Sequence, residues 1–123
     1  MVQLRRREFQ RLVLEALEGL PLAIRTCMDN LDVVVRDWPT LDDLERAHLK
    51  NRHDLLGLYL GIPLTERTDY NMVLPDKITL FQGAVESICS TDEEIVREIQ
   101  DTVVHEVAHH FGIDDAVLHQ MGL

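Results

Sequence analysis

A chain of 123 residues, 46% apolar, has the length for one domain around a single buried core, here expected to span residues 1–123. Its formal charge of −10 argues against two partner classes, nucleic acid and anionic membrane surfaces, because both need clustered Lys and Arg. No apolar run reaches the length of a membrane-spanning helix, and a cytoplasmic protein is expected.

The first twenty residues place arginines ahead of leucines, as a secretory leader would. Glu8, Glu15 and Glu18 interrupt the apolar stretch, however, and no small-residue cleavage site follows. The segment reads instead as an amphipathic helix whose buried face is Phe9, Leu12, Val13, Ala16, Leu17 and Leu20. Residues 31–37 (LDVVVRD) are short and β-branched, which predicts a strand ended by Trp38-Pro39. Thr40 with Asp43 opens a short helix running to about Lys50. His48 and His53 fall in a polar stretch; a second metal site there is weighed against solvated loop histidines. Residues 55–60 are apolar with Gly57 inside and Gly61 after them, which favours a buried strand over a helix. Residues 65–76 form a polar loop, and Lys77–Gln82 alternates as a strand that Gly83 breaks. A helical turn over Ala84–Cys89 follows. Cys27 and Cys89 are expected to be reduced core thiols.

Residues 91–111 read as one long helix. Thr91 and Glu94 have capping-box spacing, and Asp92, Glu93 and Glu94 sit where the helix dipole favours negative charge. Ile95, Ile99, Val103 and Val107 form a buried stripe, and Gly112 suits the stop. A last helix covers 115–121. The order of elements predicts an α+β fold, a small sheet with helices packed mainly on one face.

The chemistry lies in residues 105–115, HEVAHHFGIDD. His105 and His109 are four apart, on one helix face, so two imidazoles can share one metal ion. Glu106 stands beside the first of them, within reach of a water on that ion. Gly112 lets the chain leave the helix and turn back, which brings Asp115 into range as a third ligand. Two alternatives stay open: Asp114 or Asp115 caps the last helix, and His119 supplies the third ligand. His110 points about 100° away from His109 and is expected in packing or solvent. Asp101, one turn before His105, either orients that ligand or is surface charge.

The pattern H-E-x-x-H-x-x-G-x-x-D resembles the zincin metallopeptidases of the extended-motif group that includes the metzincins. The whole chain is similar to a small bacterial family of minimal zincin-like metallopeptidases. It carries VVVRDWP at 33–39, LLGLY at 55–59, LPDKITLFQG at 74–83 and the motif at 105–115, so the resemblance spans nearly all of it. The resemblance implies a minimal zincin-like fold with a small mixed sheet and an active-site helix. It also implies one zinc ion per chain on His105, His109 and Asp115, with Glu106 as catalytic base. Two features depart from metzincins: Asp115 stands where histidine is usual, and only Met121, near the chain end, is available for a methionine turn. In zincins an edge strand ahead of the active helix holds the substrate by β-augmentation. By resemblance and chain order that strand is Ile78, Thr79, Leu80, Phe81 and Gln82; separately, Tyr70 in the preceding loop is a candidate oxyanion donor by its position. The expected activity is hydrolysis of a peptide or protein substrate, narrow in specificity or gated by a partner. The competing readings are a zinc-binding protein-interaction module without peptidase activity, and a zinc hydrolase of another substrate such as RNA.

Overall fold

Three strands make a mixed sheet in a computed structural model that describes residues 2–61 and 75–120. They are β1 (Leu31–Arg36), β2 (Gly57–Leu60) and β3 (Asp76–Phe81), in spatial order β1-β3-β2. β1 runs parallel to β3, with Val33 opposite Ile78 and Val35 opposite Leu80. β2 runs antiparallel to it, with Tyr59 opposite Ile78 and Gly57 opposite Leu80. Because side chains alternate along a strand, Val33, Val35, Ile78, Leu80, Gly57 and Tyr59 share one face.

Two helices cover that face. α1 (Arg6–Glu18) buries Phe9, Leu12, Val13 and Ala16, and the long α5 (Asp92–His110) buries Ile95, Ile99, Val103, Val104, Val107 and Ala108. Together with Ile78 and Leu80 these side chains form the main core. A smaller cluster of Leu44, Leu55, Phe81 and Ala84 gathers Trp38 and Leu58. The remaining helices are short: α2 (Leu22–Cys27), α3 (Leu41–Arg46), α4 (Gln82–Ser87) and α6 (Asp115–Gln120), with a 3₁₀ turn at Arg52–Asp54. The α+β class and the minimal zincin-like layout expected from the sequence are present. No helix of the described residues is long and apolar enough to cross a membrane.

Local chemistry explains most boundaries. At α3 the expected capping box closes: Asp43 N–H donates to Thr40 Oγ1 at 3.1 Å and Thr40 N–H to Asp43 Oδ2 at 2.9 Å. At α5 Glu94 N–H donates to Thr91 Oγ1 at 3.1 Å, but the Glu94 carboxylate accepts from Ser90 rather than Thr91, so the box closes one residue early. Gly112 takes a φ of +72°, the left-handed conformation expected of it. Its N–H bonds His109 O at 3.2 Å and Ile113 N–H bonds Ala108 O at 2.8 Å, the paired bonds of a glycine C-cap. Both cysteines are free thiols, Cys89 buried in the main core and Cys27 packed against it.

The structure departs from the expectations for Gly83 and for Ile78–Gln82, and it adds detail at two segments the sequence left open. α2 was not foreseen; Pro21 opens it without a side-chain cap. Gly83 does not break a strand but sits inside α4, where a Cβ would come within 2.3 Å of Trp38 Cε2, so its job is to admit the indole. His48 and His53 are both exposed, as loop histidines are, and His53 adds an edge-on contact with Trp38, ring centroids 4.8 Å apart. Finally, Ile78–Gln82 is not an edge strand. β3 is paired on both sides, so its backbone groups are spent within the sheet, and Ile78, Thr79, Leu80 and Phe81 are buried. Gln82 belongs to α4, where its amide donates to Leu4 O at 2.8 Å and accepts from Arg6 at 2.8 Å.

Candidate metal centre

α5 is capped at Thr91 and buries one stripe along its length, from Ile95 to Ala108, which leaves the flanking face of its C-terminal half to present function. His105, Glu106 and His109 emerge there onto a cleft of about 480 Å³. Across the cleft runs the segment Leu55–Leu58, so β2, not β3, is the edge strand beside the motif. Gly57 makes this approach feasible: a Cβ there would lie 2.7 Å from the Thr102 methyl, one turn before Glu106. This is the feature the sequence reading missed, although a glycine inside an apolar strand was its signal.

The two motif imidazoles have ring centroids 6.4 Å apart with planes at 73°. His105 Nδ1 lies 2.8 Å from the Asp101 carbonyl oxygen and 3.3 Å from its carboxylate. A carbonyl oxygen only accepts, so the proton sits on Nδ1 and the lone pair on Nε2. An imidazole in that tautomer is prepared to bind a metal through Nε2. Asp101 therefore touches the first predicted ligand through both backbone and side chain. Burial pushes the Glu106 carboxyl above the usual carboxylate range, and His109 and His105 partly oppose this. Glu98 lines the same cleft, and its carboxyl is likewise pushed up, by burial and then by Asp101.

The third ligand expected from the sequence is less defined. Asp115 begins α6, but its side chain lies outside the described residues, as do Tyr70 and Met121. The capping alternative is settled in favour of its neighbour: Asp114 Oδ1 accepts from Val117 N–H at 2.9 Å, so Asp115 is not needed as a cap. His119 is exposed on α6, which Leu118 anchors in the core. Among the described residues no third His, Cys, Asp or Glu completes a metal group. The donors that are described fit zinc: two imidazoles on one helix face, one with its tautomer fixed, beside a desolvated carboxyl.

His110 does not face this cleft. Its ring stacks on Tyr59 at 4.0 Å, in keeping with the packing role expected of it.

A protein-family model described as zincin-like metallopeptidase matches residues 28–123, well over half the chain. No curated protein matches it.

Proposed function

The chain belongs to the zincin-like metallopeptidase family, and from that premise we propose a zinc-dependent peptidase with Glu106 as its general base. His105 and His109 hold one zinc ion per chain, and Asp115 completes the ligand set. The observation that carries this reading is the shared cleft: both imidazoles and the desolvated Glu106 carboxyl line it opposite an edge strand. When bound, zinc would acidify a water and polarise the scissile carbonyl.

The chain's own residues do the rest. Glu106 takes the proton of the attacking water and returns it to the leaving amine. Asp101 holds His105 by Nδ1 and so aims Nε2. The substrate is an extended peptide laid against β2, which replaces Ile78–Gln82 in that role, because β2 has no partner strand on its outer side among the described residues.

Glu106→Gln tests the mechanism. It should retain zinc and lose hydrolysis of a quenched peptide library by about 10²–10⁴-fold, the usual worth of a positioned base. Full activity in that variant would refute the assignment. Zinc retained with no cleavage by the wild type would instead favour the protein-interaction module.

A further inference from the structure

α5 and β2 are fastened to each other at two points, one on each side of His105–His109. At the first, Gly57 lies against Thr102. At the second, Tyr59 and Gly61 lie against His110: the rings of Tyr59 and His110 stack 4.0 Å apart at 20°, and a Cβ on Gly61 would be 3.0 Å from His110 Cε1. Asp76 at the start of β3 joins the second point, accepting from Tyr59 Oη at 2.7 Å and lying 3.6 Å from His110 Nε2. The spacing is commensurate. From Thr102 to His110 the helix advances about 12 Å, and from Gly57 to Gly61 the strand advances about 13 Å. Strand and helix therefore run side by side between the fastenings, and His105, Glu106 and His109 fall in that interval.

We infer that His110 is a positioning residue. Through Tyr59 and Asp76 it fixes the edge of β2 at a set spacing from the metal-binding face of α5. This rests on the peptidase reading given above for the same cleft. His110 points away from the cleft, so it touches no substrate; it acts on the strand that would. A peptide paired with β2 inherits the strand's position relative to Glu106. Loosening the second fastening lets that end of β2 drift and misplaces the peptide.

The test uses the full chain with zinc bound and three variants. His110→Ala removes the stack. His110→Phe keeps an aromatic ring on Tyr59. Tyr59→Phe loses the hydroxyl bonded to Asp76. Amide hydrogen exchange over residues 57–60 is compared with that over 31–36, alongside zinc affinity by chelator competition and peptide kinetics. His110→Ala should speed exchange in β2 by about tenfold while β1 is unchanged, because β1 takes no part in the fastening. KM should rise about tenfold, with kcat and zinc affinity within about twofold, the signature of lost positioning rather than lost chemistry. His110→Phe should restore both readouts. Tyr59→Phe should move both in the same direction by less, and it decides the matter if His110→Ala does not fold. Unchanged β2 exchange would overturn the inference, as would a fall in zinc affinity parallel to KM, which would make His110 a support of His109 instead. If the zinc-loaded wild type cleaves no peptide, the peptidase reading fails by itself, and β2 exchange in His110→Ala still decides whether the fastening exists.

Discussion

The two edges of the sheet are finished differently. Beyond β1, Arg6 from the start of α1 donates to the Val35 carbonyl at 2.9 Å and pairs with Asp37, while its Nε reaches Gln82. At that edge a charged side chain takes a strand carbonyl, one of the usual protections against unwanted strand pairing. Beyond β2 there is a cleft, with His105, Glu106 and His109 on its far wall. One edge is closed by polar contacts, and the other is held open by a helix kept at a distance that Gly57 sets. The contrast teaches that the proposed substrate edge is defined by what faces it. β3 is paired on both sides, so its backbone groups are lost to recognition.

The largest expected effect concerns the zinc site proposed on the open side. Asp115→Ala should weaken zinc binding by more than the roughly 10–100-fold that supporting partners of a ligand contribute. Chelator competition reads this directly, and unchanged affinity would pass the role to His119 or to water.

The contrast between edges is sharpened next by Gly57→Ala. The added methyl meets the Thr102 methyl and should cost about 1–3 kcal/mol of stability as an overpacked contact. It should also raise KM. Adding Thr102→Ser, which removes the opposing methyl, should recover much of both losses in thermal melts and peptide kinetics. No recovery would mean that Gly57 serves some other need, such as the Thr79 carbonyl 3.2 Å from the same point.

On the closed side, Arg6→Ala should cost about 1–2 kcal/mol through hydrogen bonds lost to a charged donor. It should leave peptide kinetics alone. A change in KM there would break the distinction between the two edges.

The smallest effect is one of pH. In the metal-free protein burial raises the Glu106 proton affinity above its unfolded value. The fold therefore favours the neutral acid, and stability from this group is lost as pH rises through the folded pKa. Glu106→Gln should melt above wild type at neutral pH. The difference should vanish as pH falls below the ordinary glutamate range. A difference that grows on acidification would reverse the sign and the explanation.

Much of this was legible in the sequence, for physical reasons. α5 announces itself by a cap at Thr91, a stripe every four residues and a glycine stop, all of which are local. The pairing of His105 with His109 follows from helical geometry alone. Strand order was not legible. Alternation identifies β3 as a strand but says nothing of its neighbours, and a parallel partner in β1 moved it from edge to centre. α2, six residues without a side-chain cap, leaves no strong local signal. Nor could the grouping of Tyr59, Asp76 and His110 be seen, since those residues meet only once both strands are laid beside α5.

The most direct measurement is a backbone-amide NMR titration of zinc-loaded Glu106→Gln with a peptide that the wild type cleaves. The peptide should shift the amides of residues 57–60 and of the last turns of α5, leaving β1 and β3 in place. Shifts concentrated on residues 31–36, or on no strand at all, would contradict the assignment of the cleft between β2 and α5 as the peptide site.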